Sequence, residues 1–278
     1  MKKFFSAVLA LMMTVSVSAQ FYIYLSNGHV LEADSISVAP TPGSLSGWFS
    51  VSDTKKVHFS QGNLQYVGTW QFAEHQWDTI GNAQADNNRD LFGWGTGNNP
   101  NNISTDYNDY ATYVEWGDNP ITNGGNKANI WRTLTKDEWV YLFYGRSDAA
   151  QLFSLGKVNG VNGTILLPDN WSGEKYDNAT NGLTDQGSYY YNSNGTNFSF
   201  HTYDGVAWKA MEKAGAVFLP AAGNRSGTDV DFVGSYGDYW SATPSGTNNA
   251  RFLDFGSYDL GPQYGSSRDR GRSVRLVR

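Results

Sequence analysis

Four histidines, His29, His58, His75 and His201, are the whole imidazole complement of a 278-residue chain that has no cysteine. No two of them lie two or four residues apart, the spacings that turn two imidazoles toward one metal, so a zinc site is not encoded. The missing thiols exclude a disulfide scaffold, a thiolate metal centre, a cysteine nucleophile and a cysteine-linked lipid. Asp177-Asn-Ala-Thr-Asn-Gly182 has the outline of a calcium loop. Ala179 stands there in place of an oxygen ligand, however, and Ser188 in place of the bidentate Glu that closes such a loop. Glycoside hydrolysis needs two carboxylates, and 20 Asp with 6 Glu offer many pairs without singling one out. No Gly-x-Ser-x-Gly, phosphate-binding or dinucleotide-binding loop is present. The expectation is a chain with no cofactor and no metal. Its net charge of -6 disfavours nucleic acid as a partner.

The chemistry that is present lies in the last 38 residues, Ser241 to Arg278. Lys, Glu, Trp and Met number thirty in residues 1–240 and none after. Six of the ten arginines fall in this tail against only Asp254, Asp259 and Asp269, which makes it +3. An apolar thread of Ala250, Leu253, Phe255, Val274, Leu276 and Val277 runs through it. A fixed core beneath freely chosen surface residues has this composition. An ordinary polar terminus is the plain alternative.

The elements that must position such a surface are short. Asn, Asp and Gly number 25, 20 and 31, a composition of turns rather than long helices. Met1-Lys2-Lys3, an apolar run from Phe4 to Val17 and Val17-Ser18-Ala19 read as a secretory signal peptide, residues 1–19. The run is too short to span a bilayer, and no later segment is long enough, so the mature chain is expected at charge -8, exported or at the cell surface, without a transmembrane segment. Residues 20–39 follow as a β-hairpin around Asn27-Gly28. Pro40 to Gly47 reads as a linker and residues 48–278 as the main domain, starting near Trp48. Between Asp86 and Gly125, loops are expected to be pinned by Phe92, Trp94, Tyr107, Tyr110, Tyr113 and Trp116. Thr135 and Glu138 form a capping box for a helix that presents Trp139, Leu142 and Phe143 and ends at Gly145. A second helix spans Asp204 to Ala214, with Ala207, Trp208 and Met211 inward, before a buried strand at Ala216–Leu219. Few helices among many short strands predict an α+β fold.

Separated motifs then converge on a resemblance. Trp131-Arg-Thr-Leu-Thr-Lys-Asp-Glu-Trp139 and Arg270-Gly-Arg-Ser-Val-Arg-Leu-Val-Arg278 resemble segments of the formylglycine-generating-enzyme, or sulfatase-modifying-factor, family. Leu219-Pro-Ala-Ala-Gly-Asn-Arg225, Tyr239-Trp-Ser-Ala-Thr243 and the same C-terminus are more similar still to the variable proteins of bacterial diversity-generating retroelements. The resemblance covers roughly Val57 to Arg278 and implies a C-type-lectin-like domain of the formylglycine-generating-enzyme type, with a variable region at about 236–278. In that family, template adenines in AAC codons are rewritten to give NNC, which cannot encode Lys, Glu, Gln, Trp or Met. The tail lacks all of these except Gln263. The enzyme members of the wider family hold copper with a cysteine pair, which is absent here, so no catalytic residue carries over. Trp116-Gly-Asp-Asn-Pro120 and Pro168-Asp-Asn-Trp171 share letters with lectin calcium motifs but not their order.

Alternation about Leu253 and Phe255 turns Phe252, Asp254 and Gly256 outward, with Arg251 and Tyr258 exposed beside them. Ser245 and Gly246 form a further pair. The resemblance marks Tyr264, Gly265, Ser266, Ser267, Asp269 and Arg270 as diversified loop positions. Tyr and Arg anchors among small adaptable residues suit a binding surface. The expected protein is an exported, non-enzymatic ligand-binding protein with a protein or glycan ligand. The alternative is a glycan-active or structural cell-envelope protein of the same fold with a fixed ligand. The hairpin at residues 20–39 packs on its own domain in the simpler reading, or adds to the sheet edge of a surface-assembly partner.

Overall fold

A computed structural model describes residues 41–177 and 198–278, together with the backbone strands Phe21–Tyr24, Val30–Ala33, Leu183–Gln186 and Tyr189–Asn192. The signal-peptide reading of residues 1–19 and most of the calcium-like loop, from Asn178, lie outside the described residues. The chain divides into two units, residues 1–39 and 40–278. In the first, Phe21–Tyr24 pairs antiparallel with Val30–Ala33, placing Phe21 opposite Ala33 and Tyr24 opposite Val30.

The second unit is α+β, with two short α-helices and many short strands in small sheets. It takes in the segment read as a linker, which is a correction. Leu45 is buried in the core and its N–H donates to the Phe59 carbonyl at 2.9 Å. A Cβ on Gly47 would lie 2.3 Å from the Gly215 carbonyl oxygen. The glycines at 43 and 47 thus serve close backbone packing, which small residues permit as readily as they permit a flexible tether.

Helix α1, Lys136–Val140, starts as its capping box requires. Thr135 accepts from the Glu138 N–H at 3.2 Å, and Glu138 accepts in return from the Thr135 N–H at 2.9 Å. A π-helical turn, Tyr141–Gly145, completes it, and Trp139, Leu142 and Phe143 are fully buried. Helix α2, Gly205–Lys213, is capped by Asp204, whose carboxylate accepts from the Val206 and Ala207 N–H groups. Trp208 is its buried anchor and Met211 is half-buried, but Ala207 faces solvent. On a helix this short, one Trp at the centre of the contact leaves the preceding position outside it.

Two sheets dominate. Thr202–Tyr203, Phe153–Val158, Val161–Leu166 and Val217–Pro220 form one, all antiparallel except the first pair. The other ends in a C-terminal meander, Gly237–Ser245, Asn249–Phe255 and Asp259–Ser267, flanked by Tyr189–Asn192 and Leu183–Gln186. After the meander, residues 271–275 run between Phe92 and the Asp238–Trp240 stretch, through bridges of Arg272 to Phe92 and Ser273 to Tyr239. Leu276–Val277 then pairs with Arg132–Thr133, and His58 and Arg278 exchange backbone hydrogen bonds at 3.0 Å. The tail is therefore threaded into the domain, and Ala250, Leu253, Phe255, Val274, Leu276 and Val277 are fully buried.

Candidate ligand-binding face

The meander is covered on both sides. Leu253 and Phe255 of its middle strand join one core cluster with Tyr239 and Leu260, whereas Ala250 and Phe252 join a second with Trp240. Phe252, expected outward, is thus buried. The alternation rule assumes one wet face, and here the returning tail covers it, with the Arg272 guanidinium 3.8 Å from the Phe252 ring centroid and 5.0 Å from that of Trp240. The Trp240 indole N–H donates to the Phe92 carbonyl at 2.7 Å, which closes the same side.

Three more expected surface residues are inside or partly inside. Gly256 is buried because the Tyr236 ring lies against it, 2.8 Å from where a Cβ would stand. Asp269 is buried and accepts a short hydrogen bond from the Ser267 hydroxyl, which makes it a fastener of its loop. Asp254 is half-buried opposite Asp238. Burial and the neighbouring Asp238 push its carboxyl well above the usual carboxylate range, so it stays protonated and hydrogen-bonds to Asp238. Asp238 in turn is ion-paired with Arg272 and accepts from Asn224 Nδ2 at 3.0 Å. This carboxyl pair is too enclosed to meet a glycosidic bond, since only 2% of Asp238 is exposed.

The remaining positions separate into two groups. Ser245, Gly246, Gly265, Ser266 and Ser267 gather around the turn between the first two strands, where Asn249 pairs with Ser267, Ala250 with Ser266 and Arg251 with Gly265. Gly246 has φ +70, the left-handed conformation this turn requires. Exposed Arg270 follows, its N–H bonded to the Ser267 carbonyl. Arg251 and Tyr264 are half-buried neighbours on the strands. Tyr258, 65% exposed, sits at the opposite turn of the meander. Six strand steps separate the two turns, about 20 Å, so Tyr258 does not share a contact surface with Gly246 and Ser266.

Two features of this face were not foreseen. Buried Arg268 is stacked 4.4 Å from the Trp94 ring centroid and donates to the carbonyls of Gly246, Asn249 and Ala111 at 3.1, 3.2 and 3.3 Å. It joins the turn at Gly246 to the loop that follows Trp94. That loop encloses a cleft of about 260 Å³ whose walls include Asn98, Asn99, Asn102 and Asn108. The run Asn98-Asn99-Pro100-Asn101-Asn102 was its visible signal.

Among the described residues no three His, Cys, Asp or Glu side chains are placed to hold a metal ion, and no helix is long and apolar enough to cross a membrane. The chain matches no family model, no curated protein sequence and no solved structure.

Proposed function

We propose that this chain is an exported, non-enzymatic ligand-binding protein with a C-type-lectin-like domain, whose turn face from Ser245 to Arg270 is a diversified surface. The observation that carries this is the partition of the tail. Residues permitted by rewritten codons are exposed at Gly246, Gly265 and Arg270 and half-buried at Ser245, Ser266 and Ser267, while Ala250, Leu253, Phe255 and Leu260 belong to the core. Lys, Glu, Trp and Met are missing from the exposed set, as the rewriting of its codons leaves them. Small residues around an Arg on a rigid meander suit recognition that must change its partner without changing its fold.

Sequencing the 3′ end of the gene and its flanking DNA in many sibling isolates tests the reading. The expected result is a near-identical template repeat whose differences fall at adenines and alter the codons of Gly246, Gly265, Ser266 and Arg270 while sparing Leu253, Phe255, Arg268, Arg272 and Arg275. An invariant 3′ end without a repeat, or variation spread evenly over buried and exposed codons, refutes it.

A further inference from the structure

We propose that the asparagine cleft beside the diversified turn is a fixed, calcium-independent subsite for one residue of a saccharide. The inference deepens the ligand-binding reading above and rests on it for the role of the neighbouring turn. The cleft is built by the segment from Trp94 to Val114. Gly97 N–H donates to the Val114 carbonyl at 3.2 Å and Val114 N–H to that of Gly95 at 3.0 Å. Gly95, at φ +70, lets the two strands of the loop touch, since a Cβ there would lie 2.7 Å from the Tyr113 Cα. Tyr110 OH bonds to the Ser104 carbonyl at 2.9 Å. The walls are therefore set before any ligand arrives, which lowers the entropy cost of binding.

The wall chemistry narrows the ligand. Asn98, Asn99, Asn102, Asn108 and Thr112 line the cleft, and each amide offers a donor and an acceptor side by side. Asn102 and Asn108 spend part of theirs inside the loop, on the Asp109 carbonyl and on the Asp106 carboxylate. Asn98, Asn99 and Thr112 make no side-chain hydrogen bond among the described residues, and all three are solvent-exposed at the cleft. Among the described residues no cation lines it: the nearby Arg268 guanidinium is committed to three carbonyls and to the Trp94 ring. A phosphate or carboxylate group has nothing to pair with here, and Asp109 in the wall repels it. An apolar side chain would leave the amides unsatisfied. Vicinal hydroxyls, each a donor and an acceptor, match the pattern. The volume, below the roughly 300 Å³ at which drug-sized sites begin, fits a single ring.

Ligand-observed NMR on the full-length protein tests this with a panel of free neutral mono- and disaccharides in the presence of EDTA. Saturable binding of at least one sugar is expected. It should weaken about tenfold in the Asn98→Ala, Asn99→Ala double variant through loss of two hydrogen bonds. It should vanish in Thr112→Trp, which fills the cleft from an exposed position, and persist in Ser266→Lys. Unchanged amide dispersion and thermal midpoints establish that each variant is folded. Absence of binding by every sugar, binding that survives Thr112→Trp, binding that requires calcium, or equal competition by inorganic phosphate overturns the inference. A diversified 3′ end with no sugar binding overturns the subsite and leaves the proposed function standing. Sugar binding in the cleft with an invariant 3′ end does the reverse.

Discussion

Replacing Asp254 by Asn asks whether the fold keeps that carboxyl neutral. Asp254 lies across the strand pair from Asp238, which is committed to Arg272. Burial first and Asp238 second raise the Asp254 carboxyl from 3.8 to about 9. The folded chain therefore holds this proton more tightly than the unfolded chain does, and stability falls as pH rises from about 4 to about 9, levelling off beyond. Over the span from 3.8 to neutral pH, at about 1.4 kcal/mol per pH unit, the proton uptake costs folding at most about 4 kcal/mol. About half of that remains once the solvent contact of a half-buried carboxyl is allowed for. An Asn side chain has the same shape, donates to Asp238 from Nδ2 as the protonated acid does, and takes up no proton. Asp254→Asn is expected to raise stability by about 2 kcal/mol at neutral pH and by nothing near pH 4. Urea midpoints of the two proteins, measured at intervals from pH 4 to pH 9, give the difference directly. A variant that is less stable at neutral pH, or a difference that does not change with pH, refutes the shared proton.

Arg272→Met leaves Asp238 buried without its counter-ion and should cost about 3–5 kcal/mol by the same urea titration; a loss under 1 kcal/mol would show that the pair is not isolated from water. Arg268→Met removes three charge-assisted bonds to carbonyls and should cost about 3 kcal/mol, with faster amide hydrogen exchange at Gly246–Asn249 and Ala111 as its local signature. Thr135→Ala removes one side of the α1 capping box, and thermal unfolding should show a loss of about 1 kcal/mol.

How much was legible depends on how local each signal is. The α1 start was readable because Thr135, Glu138 and Trp139 interact within one turn, and the Val217–Pro220 strand because its apolar run has no wet face. The burial of Ala250, Leu253, Phe255, Val274, Leu276 and Val277 was readable from hydrophobicity alone. Phe252 was misplaced because nothing in its own strand announces that residues 271–275 return to cover it; that is a contact across some twenty residues of chain, made by an Arg rather than an apolar side chain. The supposed linker failed for a related reason, since Gly47 and Gly215 approach each other from distant points and the breakers that permit this look like those of a tether. Tyr258 was grouped with Gly246 and Ser266 because chain proximity hides the two opposite turns of a meander.

The arginines show why a surface at this place could change without loss of the fold. Read as charge, the six in the tail suggest a basic face, yet Arg268, Arg272 and Arg275 are inside. Each ties the tail to a different part of the domain: Arg268 to Ala111, Arg272 to Asp238 and the Trp240 ring, and Arg275 to Asn63 and Gln76. The decisive detail is what Arg268 grips at the turn itself. Its acceptors there are the main-chain carbonyls of Gly246 and Asn249, which every amino acid supplies. The Ser241 hydroxyl likewise donates to the Arg251 carbonyl. A side chain can therefore be exchanged at Ser245, Asn249 or Ser266 while the bonds that hold the turn remain, because those bonds do not use it. Fastening by backbone acceptors, from donors placed outside the positions proposed to vary, separates the geometry of the face from its chemistry.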